Sequence, residues 1–194
     1  MGGDKETLST EVTMGRIDFA VGFSGRIKSG KTSMARRVAE ELSLPLVSFG
    51  NFVRSNAVKQ GKDSTSRDVL QALGESLIRD LGWHQFCLDV LAGAGWAEGQ
   101  AVVIDGIRHV DVLRELKGIL NPVELMLVYV EITSNVQDER YSRMDGSTPL
   151  KQAVVHSTEA DVESLLKQEA DLVLDGADEF ELSFSKALNF LSRR

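Results

Sequence analysis

One stretch, Gly25-Arg26-Ile27-Lys28-Ser29-Gly30-Lys31-Thr32, fits the pattern G-x-x-x-x-G-K-[ST] and constrains this chain more than any other feature. The pattern has physical meaning only between a strand and a helix. Both neighbours are legible. Ile17 to Phe23 is β-rich and bounded by glycine. Lys31 to Leu42 puts Met34, Ala35, Val38 and Leu42 near helical spacing. Glycines let a backbone turn tightly and approach a phosphate closely. The exposed N–H groups of such a turn form an anion nest at the positive end of the helix. The expected contacts to a nucleotide are therefore Gly25, Lys28, Ser29, Gly30, Lys31, Thr32 and Ser33. Lys31 would reach the β- and γ-phosphates and the Thr32 hydroxyl would bind Mg²⁺, so ATP and Mg²⁺ are the predicted cofactors.

Further strands are read at Pro45–Phe49, Ala101–Asp105, Leu125–Ile132 and Asp171–Leu174. Helices are read at Asn51–Gln60, Ser66–Leu81, Trp83–Leu91, His109–Leu120, Asn135–Met144, Asp161–Glu169 and Glu179–Phe190. The runs around Val103 and Leu127 are continuously apolar, as in strands covered on both faces. Alternation of strand and helix predicts an α/β domain with a five-stranded parallel sheet and right-handed crossovers. One crossover, residues 50–100, is nearly all helical and long enough to be an insertion that carries substrate contacts.

Asp105 ends the third strand, at the sheet edge where α/β proteins bind ligands, and is expected to share the metal with Thr32. The alternative is a carboxylate that only caps the next helix. Planar guanidinium groups suit phosphate. Arg54 follows the second strand, Arg108 the third, and Arg67 and Arg79 lie in the insertion. Arg140 and Arg143 share a helix face before a Gly-Ser-Thr-Pro segment, so residues of about 140–158 read as a lid. A helix cap explains His156 to Glu159, and Trp83 is an anchor of the helical arm or a surface for a base.

The 194 residues suffice for one domain, with residues 1–16 read as a disordered leader and 17–194 as the folded unit. A net charge of −7 with isolated arginines suits a small phosphorylated ligand better than a nucleic acid, and no apolar run predicts a membrane span. Cys87, the single cysteine, reads as a buried thiol; His84, His109 and His156 lack metal-ligand spacing. A cytoplasmic setting is expected in the absence of a targeting signal, and a homodimer is compatible with the sequence.

From Ile17 to Leu191 the chain resembles the nucleoside monophosphate kinase branch of P-loop proteins. Ser48-Phe49-Gly50-Asn51-Phe52-Val53-Arg54 resembles the acceptor-binding segment of adenylate kinases, with Asn51 where they usually carry Asp. Val103-Ile104-Asp105-Gly106-Ile107-Arg108 resembles their Walker B segment and following arginine, without the proline before it. Ser66 to Gly74, with Arg79, is similar to the insertion of phage-type deoxynucleoside monophosphate kinases; Val102 to Leu116 also resembles an archaeal family related to dephospho-coenzyme A kinases. The resemblance implies a three-layer P-loop NTPase fold with strand order 2-3-1-4-5, a mobile helical acceptor arm and a lid. It implies ATP/Mg²⁺-dependent phosphoryl transfer to a small phosphorylated acceptor. Lys31, Asp105, Arg108, Arg140 and Arg143 would act in catalysis, and Arg54, Arg67, Gln71, Arg79 and Arg108 would hold the acceptor. A nucleotide sensor with slow or no turnover is the second reading, and an NTPase acting on nucleic acid the third.

Overall fold

The computed structural model describes residues 18–144 and 164–193. Five parallel strands form one sheet: β1 (Phe19–Gly25), β2 (Leu46–Ser48), β3 (Val103–Asp105), β4 (Glu124–Glu131) and β5 (Leu172–Asp175). Their order is β2-β3-β1-β4-β5, so β1, which feeds the glycine loop, is central. The helices are α1 (Lys31–Glu41), α2 (Phe49–Lys59), α3 (Arg67–Gly93), α4 (Val110–Leu120), α5 (Ser134–Met144) and, last, α6 (Phe180–Leu191). Residues 164–168 are also helical, while the lid reading beyond residue 144 and the cap at His156 to Glu159 lie outside the described residues. Among the described residues no helix is long and apolar enough to cross a membrane.

Strand side chains alternate between two apolar layers, which is why the strands read as unbroken apolar runs. Leu125, Leu127 and Tyr129 of β4 join one core with Phe86, Cys87, Val90 and Leu91 of α3 and Val112, Leu113, Leu116 and Leu120 of α4. Met126, Val128 and Val130 join the other, with Met34, Ala35 and Val38 of α1 and Phe184, Ala187 and Leu191 of α6. Between β2 and β3 the chain forms only α2 and α3. Ser48 caps α2 by accepting from the Asn51 amide, and Ser66 caps α3 by accepting from the Val69 amide. α3 breaks at Gly82, where φ is 77° and ψ 164°, a conformation open to glycine and strained for other residues. The two halves on either side match the two helices read from the sequence.

Cys87 is fully buried beneath α4. Burial first, and the Glu115 carboxylate second, push its thiol up from the usual 9.0 to about 12. An unfolded chain would ionise this thiol near pH 9, whereas the fold keeps it protonated, so its contribution is complete below pH 9 and fades as pH rises toward 12. Denaturant melts between pH 8 and 11 should therefore show a steeper alkaline loss in the wild type than in Cys87→Ala. Parallel losses would remove the thiol as the cause.

Candidate active site

The carboxyl ends of three neighbouring strands meet at one carboxylate. Asp105 of β3 is in register with Phe23 of β1 and with Ser48 of β2. Asp105 is buried, and both its oxygens are engaged: Thr32 Oγ1 donates to Oδ1 at 3.1 Å and Ser48 Oγ donates to Oδ2 at 3.2 Å. The sequence placed Thr32 and Asp105 together and overlooked Ser48. Their register pairing at adjacent strand ends was the signal that could have found it.

The loop between β1 and α1 is held from behind. Gly25 has φ 138°, and a Cβ there would lie 2.2 Å from the Val130 carbonyl oxygen, so β4 runs against it too closely for a side chain. Lys28 and Gly30 are both left-handed, with φ 63° and 97°. Four successive carbonyls carry donors. Arg26 O accepts from Lys31 Nζ at 3.1 Å and from the Ser29 amide at 3.1 Å. Ile27 O accepts from Gln137 Nε2 at 2.9 Å. Lys28 O and Ser29 O accept from Arg140 Nη1 at 3.0 and 3.3 Å. In a trans peptide the next N–H points opposite to the carbonyl. Tying the carbonyls thus turns the amides of Ile27, Lys28 and Gly30 the other way, as an anion nest requires. Gln137, buried on α5, was not read from the sequence; it lies 110 residues from its partner.

Arg140 also donates through Nη2 to Gly176 O at 2.5 Å. Its guanidinium thus joins α5, the loop and the turn after β5. The side chain of Arg143 lies outside the described residues. Gly176 is itself a close approach, since a Cβ there would meet Ser29 O and Ile132 Cγ2 at 2.6 Å each.

Arg54, exposed on α2, donates through Nη1 to Asn51 Oδ1 at 3.0 Å. The turn after β3 comes close to α2: a Cβ on Gly106, at φ 90°, would lie 3.9 Å from Phe49 Cβ. That turn is anchored by the Gly106 and Ile107 amides, both on Phe23 O at 3.1 Å, and by Ser24 Oγ on Ile107 O at 2.7 Å. It presents Arg108 at the same edge, with an exposed side chain. The next residue, His109, has its pKa lowered by burial and then by Arg108; its ring packs against Trp83 with centroids 5.1 Å apart. Trp83 also packs against the core, as an anchor would. Arg67, Gln71 and Arg79 lie on the first half of α3. Gln71 bonds to Glu75 at 3.3 Å and Arg79 lies 3.7 Å from Asp80, both within the helix. A hollow of about 370 Å³ opens on this arm between Lys62, Asp63 and Val69, Ala72, Leu73 and Ser76. None of these belongs to the glycine loop between β1 and α1, so bonded geometry rather than concavity locates the site.

The donors at Thr32 and Asp105 are oxygens, as Mg²⁺ prefers. Among the described residues there is no group of three or more His, Cys, Asp or Glu able to hold an ion. The set fits an ion brought in with phosphate oxygens rather than a dedicated protein cage.

A family profile described as AAA domain matches residues 25–149, which spans this loop, Asp105 and α5. The chain belongs to the AAA domain family. The chain is 33% identical over 91 residues to a UPF0200 protein of Aeropyrum pernix, covering 47% of each. It is 51% identical over 43 residues to a cytidylate kinase of Pyrobaculum islandicum, covering 22% of this chain and 23% of that protein. The matches thus span half or less of these relatives' lengths. A shikimate kinase from Aquifex aeolicus shares the fold with a TM-score of 0.60 at 16% identity, covering 90% of this AAA domain chain and 96% of that one. The fold is that of P-loop kinases, and the likeness to the nucleoside monophosphate kinase group fits these matches.

Proposed function

We propose that the chain is an ATP- and Mg²⁺-dependent phosphotransferase whose acceptor is a small phosphorylated molecule of the nucleoside or deoxynucleoside monophosphate class. The observation that carries the reading is the Thr32–Asp105 pair beside a loop whose carbonyls are tied back. The short, 51% identical match to a cytidylate kinase supports the acceptor class.

Phosphoryl transfer depends on positioning and charge neutralisation. In this reading the loop amides and Lys31 would hold the β- and γ-phosphates, and Thr32 and Asp105 would hold Mg²⁺. Mg²⁺ supplies neutralisation of the phosphate charge. Arg54 and, from α3, Arg67, Gln71 and Arg79, all in the helical insertion of residues 50–100, hold the acceptor phosphate together with Arg108. An acceptor oxygen attacks the γ-phosphorus, the bond to the β–γ bridging oxygen breaks, and ADP leaves. Arg143 and the segment of about 140–158 would close over the transfer, with Arg140 beside the loop.

The test is ADP release from ATP and Mg²⁺ against a panel of ribo- and deoxynucleoside monophosphates and dephospho-coenzyme A. Stimulation by one acceptor is the expected result. Nucleotide binding with no stimulating acceptor would favour a nucleotide sensor instead. Arg54→Ala removes a charge-assisted contact of about 1.5–3 kcal/mol, so KM for the acceptor should rise roughly 10- to 100-fold. KM for ATP should stay within about twofold; an equal rise in both would take Arg54 out of the acceptor site.

A further inference from the structure

Ser48 Oγ has two partners that belong to different parts of the molecule. It donates to Asp105 Oδ2 at 3.2 Å and accepts from the Asn51 amide at 3.3 Å. Asn51 in turn accepts from Arg54 at 3.0 Å. On the other side, Asp105 Oδ1 accepts from Thr32 at 3.1 Å. A continuous chain of bonds, Thr32–Asp105–Ser48–Asn51–Arg54, therefore runs from the first turn of α1 to the second turn of α2. A carboxylate with one oxygen held can still pivot about that oxygen through its two side-chain torsions; a donor on each oxygen removes this freedom. When Thr32 turns its hydroxyl toward a ligand, Ser48 is the group that still holds Asp105 in orientation.

We infer that Ser48 is a positioning residue, setting the Asp105 carboxylate for a nucleotide-bound Mg²⁺ while capping α2, so that the metal side of the site and Arg54 are built on one hydroxyl. The inference rests on the Mg²⁺–nucleotide part of the proposed function and not on the identity of the acceptor. A cap alone would explain the Asn51 bond; it does not explain the Asp105 bond.

The two roles separate by substitution. Glycine at an N-cap costs only a few tenths of a kcal/mol relative to serine, whereas alanine costs about 1 kcal/mol. Ser48→Gly thus removes the Asp105 bond with the cap nearly intact, Ser48→Ala removes both, and Ser48→Thr keeps both. The measurement is ADP affinity of the full chain by calorimetry as Mg²⁺ is titrated, alongside thermal melting of each variant. The expected result is that Ser48→Gly and Ser48→Ala both raise the Mg²⁺ midpoint, on the order of tenfold, and that Ser48→Thr restores it. A wild-type midpoint in Ser48→Gly, with lower melting confined to Ser48→Ala, would overturn the inference and leave Ser48 a cap. Wild-type ADP binding indifferent to Mg²⁺ would overturn it together with the metal reading. Mg²⁺-dependent binding that responds to Ser48, in a protein no acceptor stimulates, would sustain it while the kinase reading fails.

Discussion

Gly25→Ala is expected to lower the melting temperature by roughly 10 °C while leaving expression of a folded chain detectable. Two costs add. A positive φ of 138° strains any residue with a side chain, by about 1–2 kcal/mol. The new Cβ would also stand 2.2 Å from the Val130 carbonyl oxygen. That oxygen belongs to backbone in the middle of the sheet, where Gly25 and Val130 are register partners, and cannot retreat as a side chain would. Overpacking against an unyielding neighbour costs about 1–3 kcal/mol, for a total of about 2–5 kcal/mol. Circular dichroism melts decide it. A shift under about 2 °C would mean that β1 and β4 are free to part at this point, and the loop would lose its fixed floor.

Lys31→Ala is expected to do the reverse, sharply lowering turnover with little change in fold. Lys31 is buried, and its Nζ rests on the Arg26 carbonyl, which also has the Ser29 amide as a donor. Losing the ammonium therefore leaves that acceptor satisfied, and the melting temperature should stay within about 3 °C. Its effect on phosphate charge is larger. Removing a preorganised donor at developing charge typically costs 10²–10³ in rate, and ADP release should fall by about that factor. Wild-type rates in Lys31→Ala would sink phosphoryl transfer at this loop.

Much of the fold was legible because the features that specify it are local. The spacing of Val112, Leu113, Leu116 and Leu120 marks α4, and the unbroken Val102–Ile104 marks a strand covered on both faces. Gly82 divides two helical patterns whether or not its φ is known. Strand order was different: no spacing carries it, and it came through resemblance. The Thr32–Asp105 pairing was legible for the same reason, as a motif and a strand end. The support behind the loop was not. Gln137 and Arg140 reach carbonyls 110 and more residues away, and a carbonyl leaves no mark in a sequence. Arg140 was legible as a cation near the site, but its bonds to Lys28, Ser29 and Gly176 appear only when α5 and the turn after β5 are brought beside the loop.

The break at Gly82 has a mechanical meaning. Its second half, Trp83 to Gly93, is fastened in the core by Phe86, Cys87, Val90 and Leu91. The first half, from Arg67 to Leu81, is a helical rod of about 21 Å at 1.5 Å per residue. Were the rod to pivot at this one glycine, each 10° of rotation would carry Arg67 through about 4 Å, more than the reach of a hydrogen bond. The reach of the arm from Gly82 is thus set by helix length, while Leu73, buried, and Leu77 and Ile78, packed against the core, set the angle at which it lies.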